Sequence, residues 1–209
     1  MEFDVKIENV VAFAALGKDI PLKKIHKKLE SAEYNPEQFP GVVYRIKEPK
    51  AATLIFSSGK IVCTGSKNID MAHVAVKKVV GHIRKTGVKL PHKFNIKIEN
   101  IVASTQIKAR INLEDISFAL ENVEYEPESF PGLVCRIPEP RVAFLLFSSG
   151  KIICTGARSV DDIHGALAKF KEKLESIGVN VKAIPREIKE DIKKASAKAD
   201  IKKSTVKAG

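Results

Sequence analysis

The sequence predicts an α+β protein made of two direct repeats, which form one antiparallel sheet of about ten strands with four helices on one face. The main observation is an internal repeat: KIENVVA from Lys6 returns as KIENIVA from Lys97, and the offset of 91 residues holds without a gap to Val88/Val179. Two copies fit a duplicated domain with pseudo-twofold symmetry. The boundaries that we predict are 1–91 for the first repeat, 92–181 for the second and 182–209 for a basic C-terminal tail.

Each repeat reads as strand, helix, four strands, helix. A run rich in β-branched residues predicts a strand over 3–14, and a short helix follows over about 21–31 with Pro21 suited to its first turn. Turns that contain proline or glycine then separate four short strands at about 32–35, 42–46, 51–57 and 60–65. A longer helix over about 69–86 closes the unit. Short connections between strands favour antiparallel pairing.

The strands are apolar on both faces, although the helices can cover only one of them. Leu54 and Phe56 point to one side and Ile55 points to the other. Burial of the second face in an ordinary core or a homodimer is one interpretation. The other is a minor groove of DNA, because the residues that share the parity of Phe56 are aliphatic, aromatic, hydroxyl or arginine side chains without an acid. They are Arg45, Leu54, Phe56, Val62 and Thr64, with the counterparts Arg136, Leu145, Phe147, Ile153 and Thr155.

The formal net charge of +11 indicates a polyanionic partner. The charge is uneven, with +7 over 1–90, −1 over 91–181 and +5 over 182–209. The tail is either a solvated, flexible or partly helical extension or a basic arm that adds nonspecific DNA affinity.

The sequence offers little evidence for a catalytic, metal-binding or cofactor-binding site. The three cysteines lack zinc-site spacing, and Cys63 and Cys154 sit at equivalent places in apolar runs, which favours buried side chains over ligands. Neither an HExxH motif nor a glycine-rich phosphate loop occurs. We therefore predict a protein that is not an enzyme and uses no cofactor or metal. The chain also lacks an apolar run long enough to span a bilayer, so no membrane partner is expected.

Several paired motifs identify a family. The FPG loops followed by Arg, the EP turns, and the segments LIFSSGKIVCTG and LLFSSGKIICTG resemble the core of TATA-box-binding proteins of the archaeal type. The resemblance covers about 3–181 and implies a saddle-shaped sheet with the helices on its convex face. Such a protein is a general initiation factor that kinks and bends promoter DNA from the minor groove. It would lie in the cytoplasm, associated with the nucleoid, if archaeal, and in the nucleus if eukaryotic.

The resemblance also implies roles for individual residues. Two phenylalanine pairs would intercalate between bases: Phe39 with Phe56, and Phe130 with Phe147. Base and sugar contacts would come from Asn9, Val11, Leu54, Val62, Thr64, Asn100, Val102, Leu145, Ile153 and Thr155. For each asparagine, the alternative is a side chain that caps the backbone of a neighbouring strand. Phosphate contacts would come from Arg45, Ser58, Lys60, Arg136, Ser149 and Lys151.

Protein partners follow from the same resemblance. Glu126 and Glu128 match the surface that family members present to transcription factor B, and the assembly would recruit RNA polymerase into a preinitiation complex. A homodimer through the sheet face is a further partner for the free protein. The rival function is a scaffold or regulatory protein whose apolar sheet face binds a protein or a second copy of itself.

Overall fold

The computed structural model describes residues 3–107 and 111–179. Its elements are β1 (Lys6–Ala15), α1 (Leu22–Lys28), β2 (Ala32–Glu33), β3 (Gly41–Ile46), β4 (Ala51–Phe56), β5 (Lys60–Ser66), α2 (Ile69–Lys85), β6 (Ile96–Gln106), α3 (Leu113–Ala119), β7 (Val123–Glu124), β8 (Leu133–Ile137), β9 (Val142–Leu146), β10 (Lys151–Ala157) and α4 (Val160–Ser176). The predicted order of elements is confirmed in both repeats. The tail at 182–209 lies outside the described residues.

The ten strands form one antiparallel sheet in the order β2-β3-β4-β5-β1-β6-β10-β9-β8-β7. The two repeats meet where β1 pairs with β6. In this pairing Val10 lies opposite Ile101, its own counterpart at the offset of 91 residues. The pseudo-twofold axis therefore passes through the middle of the sheet. The register shifts on both sides of this point, between Ile7 and Asn9 and between Val11 and Ala12.

Hydrophobic packing joins the helices to one face of the sheet. Each repeat has its own core cluster, and Ile7, Ile69 and Ile98 pack against both clusters. Alternate residues of the strands enter these cores, as expected for strands with one face against helices. Burial of this apolar surface, at roughly 25 cal/mol per Å², holds the sheet and the helices together.

Local capping fixes the start of both long helices. The side chain of Asn68 accepts hydrogen bonds from the backbone N–H groups of Asp70 and Met71 at the start of α2. Ser159 and Asp162 form a reciprocal capping box at the start of α4. The backbone N–H of Arg158 also donates to Asp162, and these bonds hold the pKa of its carboxyl below the usual range. Of the described helices, none has the length and apolar character that crossing a bilayer requires.

The first helix of the repeat is shorter than predicted. It ends at Lys28, and Leu29 is already extended, with φ −92° and ψ 113°. Leu29 is nevertheless buried, because its side chain packs into the core. The chain then changes direction at Ser31, which has a φ of 63°. Pro21 caps this helix and does not lie within its first turn.

Candidate nucleic-acid interface

The sheet has an open face opposite the helices. Along β4, Ile55 is fully buried while Leu54 and Phe56 are half-buried, and along β5 Val62 is half-buried between two buried residues. The predicted alternation is thus correct. All ten residues predicted to touch bases or sugars are half-buried and share this open face: Asn9, Val11, Leu54, Val62, Thr64, Asn100, Val102, Leu145, Ile153 and Thr155.

Two phenylalanine pairs lie at equivalent positions in the two repeats. The ring centroids of Phe39 and Phe56 are 5.8 Å apart with an interplanar angle of 60°. Those of Phe130 and Phe147 are also 5.8 Å apart, at 69°. Phe130 is 37% exposed, which is unusual for a large aromatic side chain. The structure therefore brings each predicted pair together in edge-to-face contact.

The glycine of each FPG motif supports its pair, and the sequence reasoning did not single it out. A Cβ on Gly41 would lie 2.8 Å from Phe39 Cε1, and one on Gly132 would lie 2.7 Å from Phe130 Cε1. Both distances are well below normal carbon contacts of about 3.5–4.0 Å. Neither glycine has a positive φ, so the requirement comes from ring packing and not from the backbone conformation.

The two central asparagines make hydrogen bonds within the protein through both ends of the amide. Asn9 Oδ1 accepts a hydrogen bond from the Gly65 N–H at 2.8 Å, and Asn9 Nδ2 donates to Thr64 Oγ1 at 3.0 Å. In the second repeat Asn100 Oδ1 accepts from the Gly156 N–H at 2.7 Å. The alternative of backbone capping is thus observed. It also orients the amide, because only the oxygen can accept from a backbone N–H.

The arginines predicted to reach phosphates are held by carboxylates. Arg45 Nη1 lies 2.5 Å from Glu33 Oε1, and Arg136 Nη2 lies 3.2 Å from Glu124 Oε2. All four side chains are more than half exposed. We expected an open face without acidic residues. This expectation is wrong at the two outer edges of the sheet, where Glu33 and Glu124 lie beside the arginines. The register of β2 with β3, and of β7 with β8, carries each glutamate beside the arginine.

The remaining predicted phosphate residues lie at tight turns. Ser58 and Lys60 flank the β4–β5 turn and are exposed, as are Ser149 and Lys151 at the β9–β10 turn. Gly59 has a φ of 80°, and its carbonyl accepts from the Leu16 N–H at 3.0 Å. A Cβ on Gly59 would lie 2.2 Å from Lys18 O, so the turn packs closely against the segment that follows β1.

The two FPG loops share one backbone design but differ in charge. In the second loop, the carbonyl of Glu126 accepts hydrogen bonds from the N–H groups of Ser129 and Phe130, both at 2.9 Å. Asn35 plays this part in the first loop. The side chains of Glu126 and Glu128 are exposed.

The open face includes further residues that the sequence reasoning missed. Phe13 and its counterpart Ser104 alternate with buried residues, so the same period of two that marks Asn9 could have found them. Phe13 lies opposite Lys97, and Ser104 lies opposite Lys6. Hydrogen bonds from Lys6 and from Ser104 lower the pKa of the Glu8 carboxyl.

The three cysteines are free and buried, as predicted for Cys63 and Cys154. Burial raises the pKa of the Cys63 thiol to about 11 and that of Cys154 to about 12. A raised thiol pKa disfavours the thiolate that nucleophilic or metal-binding chemistry requires. In residues 3–107 and 111–179, histidine, cysteine and acidic side chains form no cluster of three or more suited to a metal ion.

Comparison with known proteins assigns the family. The chain matches the family described as transcription factor TFIID (or TATA-binding protein, TBP) over residues 4–86 and 95–177. It is 49% identical to the TATA-box-binding protein of Methanobrevibacter smithii and 50% identical to that of Methanothermobacter thermautotrophicus, over 84% of this chain and 97% of each relative. The solved structure of Methanococcus jannaschii TBP matches with a TM-score of 0.77 and 44% identity, covering 82% of this chain and 98% of that one. With both repeats matched and the ten-stranded sheet in place, the chain belongs to the TATA-binding protein family of transcription factors.

Proposed function

We propose that this chain is a general initiation factor whose open face binds a TATA box in the minor groove, bends it and nucleates a preinitiation complex with transcription factor B and RNA polymerase. The observation that carries the proposal is the pair of phenylalanine contacts at equivalent positions of an apolar open face. Family membership supports a non-enzymatic, DNA-binding role in initiation at TATA promoters. We place its activity in the cytoplasm, at the nucleoid.

The phenylalanine pairs act as wedges at the two ends of the box. A ring inserted between base pairs replaces part of the lost stacking, at a deformation cost of a few kcal/mol per step. Flexible TA steps lower that cost. Because both pairs occupy equivalent places in a pseudo-twofold molecule, they open two steps and bend the duplex in one direction.

The central asparagines donate to base edges. The Gly65 and Gly156 N–H groups donate to Asn9 Oδ1 and Asn100 Oδ1. Each amide nitrogen donates one of its two hydrogens to a threonine hydroxyl, which leaves the second hydrogen to donate to a base edge. A·T pairs present only acceptors in the minor groove, whereas G·C adds a donor amino group. Donors among aliphatic residues therefore select A/T-rich sequences.

Residues proposed to contact phosphates lie around the apolar part of the open face. Arg45, Arg136, Lys60 and Lys151 supply the charges, and Ser58 and Ser149 supply hydroxyls at the turns. Such contacts add affinity without reading sequence, and they make binding weaken with salt. When a phosphate approaches, each arginine must turn from its glutamate or bridge both groups.

The wedge assignment is tested by changing Phe130 and Phe147 to Ala together. We expect a smaller bend angle and weaker binding to a TATA duplex, measured by energy transfer between dyes at its ends, with an unchanged circular dichroism spectrum. Phe118→Ala is the matched control, since that ring is 84% exposed on α3, away from the open face. An unaltered bend in the double variant would refute the assignment.

The surface for transcription factor B is tested by comparing the two loops. Glu128→Arg in the second loop and Glu37→Arg in the first change the same residue type at equivalent positions. We expect Glu128→Arg and Glu126→Arg to weaken the ternary complex at least tenfold, or about 1.4 kcal/mol, while Glu37→Arg leaves it unchanged. Equal effects from both loops would remove this assignment.

A scaffold function remains testable on the same face. The half-buried residues Leu54 and Val62 could equally contact a second copy in the free protein. Sedimentation of the free protein across salt concentrations separates the two functions. A salt-insensitive dimer without affinity for A/T-rich DNA would favour the scaffold, while a dimer that TATA DNA dissociates fits the proposed function.

A further inference from the structure

One pair of equivalent positions on the open face carries chemically different side chains. Phe13 of β1 alternates with two fully buried alanines, and its counterpart Ser104 of β6 alternates with two buried residues. Both side chains are half-buried, so the pleat of the strands places them on the open face. A large apolar ring in one repeat thus occupies the place of a small hydroxyl in the other.

The surroundings of the two positions match. Each residue lies opposite an aliphatic side chain in one neighbouring strand and opposite a lysine in the other. These partners are Val62 and Lys97 for Phe13, and Ile153 and Lys6 for Ser104. The partners are themselves equivalent at the offset of 91 residues. The two halves of the face therefore differ here mainly in the ring and the hydroxyl, and much less in what surrounds them.

A carboxylate fixes the orientation of the Ser104 hydroxyl. Ser104 Oγ donates a hydrogen bond to Glu8 Oε1 at 2.8 Å, and Lys6 Nζ lies 3.0 Å from the same oxygen. Hydrogen bonds from Lys6 and from Ser104 lower the pKa of the Glu8 carboxyl, so that it is ionised at neutral pH and can only accept. The one hydroxyl hydrogen is therefore used within the protein, and the lone pairs of Oγ remain for the groove.

The equivalent arrangement in the first repeat has no hydroxyl to offer, because the residue there is Phe13. Glu99 is the counterpart of Glu8, and its Oε2 lies 3.5 Å from Arg158 Nη2. The ring of Phe13 presents carbon atoms to the open face, next to the aliphatic side chain of Val62. One half of the face thus presents an acceptor where the other half presents an apolar surface.

We propose that Ser104 and Phe13 determine where the open face admits a G·C pair: Ser104 accepts a hydrogen bond from the guanine amino group, and Phe13 excludes that group. This inference rests on the proposed binding in the minor groove. In that groove A·T pairs present only acceptors, whereas G·C adds the amino donor. The lone pairs of Ser104 match that donor. Against the ring of Phe13 the amino group loses water without gaining a partner, which is unfavourable.

The difference acts only on boxes that contain a G·C pair. A box made of A·T pairs meets both residues with acceptors and gains little orientation from them. A box with one G·C pair in one half is bound so that this half lies under the second repeat. Ser104 and Phe13 are therefore residues that determine specificity, because they decide which half of a mixed box faces which repeat.

The test uses a self-complementary A/T box, for which the two orientations are identical. A G·C pair is placed at each position of one half in turn, or at both symmetry-related positions together. For one such position we expect the singly substituted duplex to bind within about threefold of the A/T-only box. The doubly substituted duplex should bind at least tenfold more weakly than the singly substituted one, or about 1.4 kcal/mol, because one G·C pair then lies against Phe13. The ratio of these two affinities is the discrimination.

The second repeat supplies the first variant. Phe13→Ser places in the first repeat the residue that matching surroundings carry in the second, so it is expected to fold. Its discrimination should disappear, since both halves then admit G·C. Ser104→Phe should bind the singly substituted duplex as weakly as the doubly substituted one. Thermal melting and affinity for the A/T-only box are the controls for folding.

The exchange of both residues separates specificity from affinity. Phe13→Ser with Ser104→Phe should restore the discrimination and reverse the orientation on a singly substituted box. Orientation is measured by energy transfer from a dye at one duplex end to a dye on Phe118→Cys, a position in the second repeat that is 84% exposed. The three native cysteines are buried, so the dye attaches at the new thiol.

Glu8→Ala tests the orientation of the hydroxyl. Without the carboxylate, the Ser104 hydroxyl is free to donate to the acceptors of A·T pairs. We expect the singly substituted duplex to lose affinity several-fold relative to the A/T-only box. A purely structural role of Glu8, or its charge near phosphates, would change both affinities alike and leave their ratio unchanged.

The outcomes distinguish this inference from the function on which it rests. If the unchanged protein binds the A/T-only box but Phe13→Ser leaves the discrimination unaltered, the inference is refuted and the proposed function stands. Equal affinities for the singly and doubly substituted duplexes in the unchanged protein would also overturn it. If the unchanged protein fails to bind the A/T-only box, the proposed function itself fails.

Discussion

Gly132 of the second FPG motif packs against Phe130 and Phe147, the pair that we propose as a wedge. In Gly132→Ala, the new Cβ would lie 2.7 Å from Phe130 Cε1 and 3.1 Å from Phe147 Cε1. Restoring normal carbon contacts requires the rings to move by roughly 1 Å. The backbone of Gly132 does not have a positive φ, so alanine adds no conformational strain there. The substitution therefore acts through the two rings.

The cost to folding is expected to be small and the cost to DNA binding larger. Overpacking of a closed core costs about 1–3 kcal/mol, but Phe130 is 37% exposed and can swing outward, so we expect about 1 kcal/mol or less. A wedge offsets an unstacking cost of a few kcal/mol per step. Loss of about half of that compensation at one step weakens TATA binding roughly tenfold, or about 1.4 kcal/mol. The bend at that end should also decrease.

The assay combines fluorescence anisotropy for affinity with energy transfer across a TATA duplex for the bend. Gly165→Ala is the control, because a Cβ on this residue of α4 meets nothing within 4 Å. Native affinity and bend in Gly132→Ala would refute the reasoning that ring position sets the deformation. A large loss of thermal stability would instead show that the loop is more tightly packed than the exposure of Phe130 indicates.

Three further substitutions or treatments test other parts of the molecule. Glu33→Gln with Glu124→Gln releases both arginines from exposed ion pairs, which are worth about 0–1 kcal/mol each. We therefore expect DNA binding to tighten a few-fold and its affinity to depend more steeply on salt concentration. No change in affinity would mean that the arginines never leave their carboxylates. Gly165→Ala should stabilise α4 by about 0.5–1 kcal/mol, raising the melting temperature in calorimetry by about 1–4 °C. Because burial raises the thiol pKa values of Cys63 and Cys154 to about 11 and about 12, a disulfide reagent at pH 8 should label them only in denaturant; rapid labelling of the native protein would contradict this.

The alternation of apolar residues along the strands and the internal sequence repeat made most of the fold predictable. The burial of Ile55 between Leu54 and Phe56 follows from the pleat alone, and the same pattern at the offset of 91 residues confirmed it in the second copy. The end of α1 was predicted less well. Leu29 fits the apolar spacing of a helix, but the turn at Ser31 that leads into β2 places it in the core with extended backbone instead.

Long-range register decided what the sequence could not show at the candidate interface. Asn9 meets the Gly65 N–H where β1 pairs with β5, beside an irregularity in the register between Val10 and Ala12. Glu33 lies beside Arg45 because β2 pairs with β3, and a two-residue strand leaves little signal in a sequence. Residue types on the face were thus predictable, whereas their partners within the protein required the assembled sheet.

The symmetry of the sheet limits what its open face can read. Asn9 and Asn100 make the same bonds in the two repeats. On the proposed function, such a pseudo-twofold face binds the two orientations of an A/T-rich box almost equally. Phe13 against Ser104 breaks the symmetry on the face itself. Larger differences lie away from it, where basic α1 faces solvent in one repeat and acidic α3 with Phe118 in the other. If the open face binds the minor groove as we propose, direction along a promoter whose box contains only A·T pairs has to come from a protein that contacts those outer surfaces, because the two halves of the face differ little toward such pairs.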